Sequence, residues 1–108
     1  MNRSGELKRT TKETDIFISL NLDGQGMYDI DTGIGFFNHM LELFAVHGNF
    51  DLTVKCKGDL RVDGHHTVED IGIVLGKLIY KLLGEKKGIA RYSEKTIPMD
   101  EALVRAVI

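Results

Sequence analysis

Tryptophan is absent, and proline and cysteine occur once each, as Pro98 and Cys56. A single cysteine cannot close an internal disulfide, so the expected compartment is a reducing cytoplasm. Cys56 ends the alternating run Leu52-Thr53-Val54-Lys55-Cys56, the setting of a packed thiol rather than a nucleophile. No apolar run approaches the ~20 residues of a membrane-spanning helix. The polar start Met-Asn-Arg-Ser-Gly-Glu predicts no signal peptide. A surplus of one charge is missing too. Fourteen basic residues face sixteen acidic ones, a net charge of −2, which makes no electrostatic case for nucleic acid or an anionic membrane. What is present is an ordinary globular composition, 43% hydrophobic, in 108 residues, the length of one small domain.

The most informative stretch is Asp63-Gly64-His65-His66-Thr67-Val68-Glu69-Asp70, where two imidazoles and a carboxylate fall within five residues as an apolar helical pattern begins. Residues three or four apart share a helix face, and neighbours diverge by about 100°. His66 and Glu69 are therefore expected to hold one ion together, and His65 to point elsewhere, toward a second. Imidazole suits Zn, Mn, Fe or Ni, and a carboxylate shifts the preference toward harder ions such as Mn. The plainer reading is a solvated helix start, with Glu69 and Asp70 favoured by the helix dipole and the histidines incidental.

In chain order, Glu6 to Thr14 suggests an exposed edge strand, and Asp15 to Leu22 a half-buried one with Ile16, Ile18, Leu20 and Leu22 inward. Asp23-Gly24-Gln25-Gly26 reads as a turn and Met27 to Ile30 as a strand returning in a hairpin, which makes the sheet antiparallel. A helix is expected from Ile34 to His47, buried through Ile34, Phe37, Leu41 and Phe44 and stopped by Gly48. His39 faces away from that stripe, and His47 fits a dipole-complementing place in the last turn. Phe50 to Lys57 alternates as a strand. The second helix is expected to start near Thr67, with Thr67 as N-cap and Asp70 three later, and to end at Gly84. Ile89 to Tyr92 reads as extended, Ser93 to Thr96 as loop, Pro98 as a breaker, and Ala102 to Ile108 as an apolar strand with no partner in view.

Taken together, several segments resemble the imidazoleglycerol-phosphate dehydratase family: Thr-Lys-Glu-Thr at 11–14, Leu-Asp-Gly-x-Gly at 22–26, Thr-Gly-Ile-Gly-Phe-Phe-Asn-His-Met-Leu at 32–41, Gly-Asp-Leu at 58–60, Asp-Gly-His-His-Thr-Val-Glu-Asp at 63–70, Gly-Ile-Ala-Arg-Tyr at 88–92 and Pro-Met-Asp-Glu-Ala-Leu at 98–103. They follow in order over nearly the whole chain. The resemblance implies an α+β fold, a two-layer arrangement with helices on one face of a β-sheet (a ribosomal protein S5 domain 2-like half-domain), duplicated in full-length members. Residues 1–92 would be the first half-domain, and 93–108 the connection and the start of an incomplete second.

The resemblance also implies a carbon–oxygen lyase of histidine biosynthesis. It would dehydrate imidazole glycerol phosphate to imidazole acetol phosphate through a metal-bound imidazolate, with two Mn²⁺ per site. Subunits would form a hollow 24-mer with sites at their interfaces. By residue, His39, His65, His66 and Glu69 would ligate metal and meet the substrate. Glu13 would be an acid–base group beside the reacting centre, with His65 and Glu69 also catalytic, and Arg91 would face the phosphate with its fork of donors. Asn38 stands where many members carry Asp, which puts a hydrogen bond near His39 in question. The family's second His-His-x-x-Glu repeat has no counterpart here, so the expected activity of the chain as given is low. Two other functions compete. One is an inactive metal-binding, oligomerising half-domain. The other is a metallohydrolase with an open coordination position.

Overall fold

The computed structural model describes residues 2–108. Four strands form one sheet: β1 (Ser4–Thr10), β2 (Thr14–Asn21), β3 (Tyr28–Asp31) and β4 (Asp51–Gly58). Two helices, α1 (Gly35–Gly48) and α2 (His65–Leu83), pack on it, and a separate hairpin follows, β5 (Glu94–Met99) with β6 (Ala102–Val107). The strand order is β1-β2-β4-β3. β2 pairs antiparallel with β1 and with β4.

Alternation decides which face is covered. Ile16, Ile18 and Leu20 of β2 and Leu52, Val54 and Cys56 of β4 point to one side and are all buried. They meet Ile71, Val74 and Leu78 of α2 and Leu41 and Ala45 of α1. Each fully buried aliphatic side chain there contributes about 1.5–3 kcal/mol over its exposed state. The opposite face is left to polar pairs, such as Lys55 Nζ donating to Asp29 Oδ1 at 2.7 Å. The expected α+β class, with helices on one face of a sheet, is what the chain adopts.

Several local expectations are corrected. The segment Met27 to Ile30 does not fold back on β2. β3 lies at the far edge, parallel to β4, with Ile30 opposite Val54. The cause is connectivity: a strand, a 14-residue helix and a strand form a crossover unit, which sets the two strands parallel. Asp51 Oδ1 secures the loop before β3 by accepting the Gln25 and Met27 amides.

The edge strand expected to reach Thr14 stops at Thr10, because Thr11–Glu13 is a turn. Thr11 Oγ1 accepts the Glu13 and Thr14 amides, and the Thr11 amide donates to the Thr14 carbonyl at 2.8 Å. On α1, Leu41 and Ala45 are buried, whereas Phe44 from the expected stripe is exposed and stacks at a tilt on Phe50. The helix ends not through Gly48, which is its last residue, but through Asn49 in the left-handed region at φ 54°. Residues 89–92 form no strand, and the expected loop at 93–96 opens β5. Pro98 lies within β5, opposite Leu103. A two-stranded ribbon is all edge, which is where a strand accommodates proline.

Candidate functional site

Three loops meet at one end of the sheet. The β1–β2 turn carries Glu13, and Thr14 beside it is in register with Gly58 at the end of β4. Because β3 runs parallel to β4, the β3–α1 junction arrives at the same end, with His39 in the second turn of α1. The β4–α2 loop, residues 59–64, then delivers His65 and His66 as the first residues of α2. The loops interlock closely. A β-carbon on Gly33 would strike Leu60, one on Gly64 would press on Ile34, and one on Gly58 would collide with Thr67 Oγ1.

The start of α2 differs from the sequence expectation. Thr67 is no N-cap; it lies inside the first turn and is fully buried. The N-cap position is held by Gly64 with no side-chain cap, and Asp63 just before it accepts the His65 amide at 2.8 Å. Asp70 also does no capping. Its Oδ2 accepts the Thr14 hydroxyl at 2.6 Å and its Oδ1 pairs with Arg9 Nη1 at 2.9 Å. The Thr14 hydrogen bond first, and Arg9 next, hold the Asp70 carboxyl below the usual carboxylate range. This cluster ties the strand end next to Glu13 to the helix turn next to Glu69.

The two imidazoles have separate partners. Glu69 Oε2 lies 3.0 Å from His65 Nε2, one helical turn along, and not against His66. His66 is turned the other way, and its Nδ1 is 2.7 Å from Asp59 Oδ2. The imidazole within reach of Glu69 is that of His65, while the His66 ring is bonded to Asp59 in the β4–α2 loop. The Asp59 hydrogen bond is the main cause that raises the His66 pKa above its ordinary 6.5, with the charges of Asp59, Glu13 and Asp70 adding to it against desolvation. The rings stand edge to face, 5.4 Å between centroids. A surface depression lined by Gly58, Asp59, Leu60, Arg61 and Val62 adjoins them.

His39 is exposed on α1. Its neighbour Asn38 makes no bond to it. Asn38 Oδ1 accepts the Thr32 amide at 2.8 Å and the Thr32 hydroxyl at 2.5 Å, closing the β3–α1 junction. An aspartate would accept the same two bonds. Arg91 lies at the other end of α2, where its Nη2 donates to the Lys86 carbonyl at 3.3 Å. A 19-residue helix, about 28 Å long, separates that end from the histidines. Among the described residues no three His, Cys, Asp or Glu side chains converge as a ready metal cage. No helix among them is long and apolar enough to cross a membrane.

Asp59 enters the sequence reading only within Gly-Asp-Leu at 58–60, with no role attached. It carries no periodic signal, because a carboxylate seven positions before a histidine reaches it only when the intervening loop folds back.

With this geometry in view, comparison with known proteins is direct. The family model for imidazoleglycerol-phosphate dehydratase matches residues 32–108. The dehydratase of Thermoanaerobacter pseudethanolicus is 63% identical over 106 residues, covering 98% of this chain and 55% of that protein. The one from Salinibacter ruber is 58% identical, covering 98% and 52%. A crystal structure of the Staphylococcus aureus dehydratase superposes with a TM-score of 0.67 at 41% identity, covering 95% of this chain and 56% of that one. The chain thus spans about half the length of the relatives it matches. Agreement in family model, sequence and fold leads to one conclusion: this chain belongs to the imidazoleglycerol-phosphate dehydratase family.

Proposed function

We propose that the chain is the first half of a cytoplasmic lyase that removes water from imidazole glycerol phosphate, giving imidazole acetol phosphate in histidine biosynthesis. The observation that carries the reading is 63% identity over 98% of the chain to a protein of that name. The donor chemistry at the α2 N-terminus fits a metal of the Mn²⁺ type: imidazole nitrogens and a carboxylate, with one ring backed by Asp59. His65, His66 and Glu69 would hold it, joined by His39. One copy of this half leaves each ligand set short, so further ligands come from the part of the relatives beyond the matched half or from neighbouring copies. Bound Mn²⁺ would supply Lewis acidity and a template for the imidazole ring.

The chain's own residues do the rest. His65, His66 and His39 orient the ring. Glu13, exposed in the β1–β2 turn, would take the proton from carbon and pass one to the departing hydroxyl, which leaves as water. Arg91, about a helix length away, is suited to the phosphate of a substrate bound at a neighbouring copy, which agrees with sites shared between subunits of a large homo-oligomer.

The test compares this chain with one lengthened to the size of its relatives. Ultraviolet-absorbing enol product and bound Mn are measured in both. The longer chain should turn over with Mn bound and the shorter should show little or no turnover. Equal rates, or a longer chain that is inert with Mn bound, would refute the reading. A second reading has one observation behind it: the β5–β6 hairpin exposes Ile97, Leu103, Val104 and Val107. An assembling, non-catalytic half-domain would explain that exposure, and a lengthened chain that assembles but binds no metal would favour it.

A further inference from the structure

We infer that Asp59 is a positioning residue that fixes the tautomer of His66, so that Nε2 is the ring nitrogen left free to bind a cation. The inference rests on the metal-binding reading proposed above. Asp59 Oδ2 and His66 Nδ1 are 2.7 Å apart, which requires a proton between them. Were His66 protonated on Nε2 alone, a ring lone pair would face a carboxylate lone pair at that distance. A carboxylate only accepts, so the ring nitrogen is the donor of that bond. His66 Nδ1–H therefore donates to Asp59, and the opposite nitrogen, Nε2, is bare in the neutral ring.

The second observation is that the other oxygen of this carboxylate, Oδ1, is buried and has no competing hydrogen-bond partner among the described residues. The Asp59 side chain as a whole is 23% exposed. Its backbone is held as well. Gly58 is wedged against the buried Thr67, and the Val62 amide donates to the Asp59 carbonyl at 2.9 Å. His66 thus meets a fixed acceptor. His65 differs, since it is engaged through Nε2 by Glu69 and must release that contact before Nε2 can serve a metal. Of the two neighbouring rings, His66 is the one set in advance, and a carboxylate on the far nitrogen also makes a ligating imidazole more basic.

The experiment reads ring nitrogens by ¹⁵N NMR on the 108-residue chain at alkaline pH, where imidazoles are neutral, and then adds Mn²⁺ alone and follows paramagnetic broadening. In the wild-type chain His66 should be protonated at Nδ1, with Nε2 at the shift of a bare nitrogen. In Asp59→Ala the protonated form should move toward Nε2, and the Mn²⁺ concentration that broadens the His66 signals should rise about 10–100-fold. A wild-type His66 protonated at Nε2 would overturn the inference without a variant being needed, and would leave the proposed function standing. An Asp59→Ala chain that folds with unchanged tautomer and unchanged Mn²⁺ response would overturn it as well. If Mn²⁺ broadens no histidine in a lengthened chain while the tautomer is as expected, the metal reading fails and Asp59 no longer serves a ligand.

Discussion

At the scale of single residues, two carboxylates beside the histidines have opposite duties. Glu13 is exposed in its turn and accepts no hydrogen bond among the described residues, as the proposed proton transfer requires. In the lengthened enzyme, Glu13→Gln should lower kcat by at least ~10² with bound Mn unchanged. Near wild-type turnover would remove Glu13 from the chemistry. Asp70 is committed to Thr14 and Arg9. Asp70→Asn weakens a charge-assisted hydrogen bond and strips the Arg9 pair of its anion, and should cost about 1–3 kcal/mol in urea unfolding.

The pH dependence follows from the same bonds. Asp70 titrates below its ordinary 3.8, and Asp23, bonded to Arg3, is lowered to about 2. A depressed carboxylate stabilises the fold above its unfolded pKa, and that contribution disappears as pH falls through the folded value. The carboxylate contribution should therefore be level above about pH 5 and decline as pH drops from about 4 toward 2, with a shallower decline in Asp70→Asn, while the raised His66 pKa adds a separate contribution that fades as pH rises through it. Residue type and spacing marked His65, His66 and Glu69, whereas Glu13 was marked only by the family resemblance. Asp59 and the Asp70–Thr14–Arg9 cluster were hidden because those bonds join positions brought together only by folding.

At the scale of elements, the loop between β4 and α2 is the decisive part. The close approach of Gly58 to Thr67 lets the strand end pass under the first turn of the helix. Gly58→Ala should destabilise by about 1–3 kcal/mol through overpacking. Adding Thr67→Ala removes the hydroxyl that the new methyl would strike, so the double variant should recover part of the loss. A coupling of about 0.5 kcal/mol or more in a thermodynamic cycle is the expected outcome. Strictly additive losses would mean that the loop relaxes elsewhere. The alternation in β2 and β4 and the helical spacing in α2 were plain to read, because one covered face imposes period 2 on strands and 3.6 on helices. The place of β3 was not. Four residues of strand carry no record of which edge they join, and only the crossover through α1 determines that.

At the scale of the whole molecule, apolar surface is left over. Cross-strand partners share a face, so Ile97 with Val104 and Met99 with Ala102 make an apolar side on the β5–β6 hairpin. Ile97 is 59% and Val104 64% exposed. On α1, Phe36, Leu43, Phe44 and Val46 are exposed too. Patches of this kind mark contact surfaces. The chain should associate at micromolar concentration, and Val104→Lys should shift it to a smaller species in sedimentation. A wild-type chain that sediments as a monomer at every concentration would count against the homo-oligomer.

What the sequence by itself determined was the covered sheet face, the two helices, the family and the residue types at the head of α2. These depend on periodicity and local chemistry, which are written along the chain. Only the tertiary structure decided that β3 runs parallel at the edge, that Glu69 answers His65, that His66 answers Asp59, and that Arg91 sits a helix length from both. Each of these depends on which segments come to lie side by side, and a bond between residues far apart in the chain leaves no pattern along it.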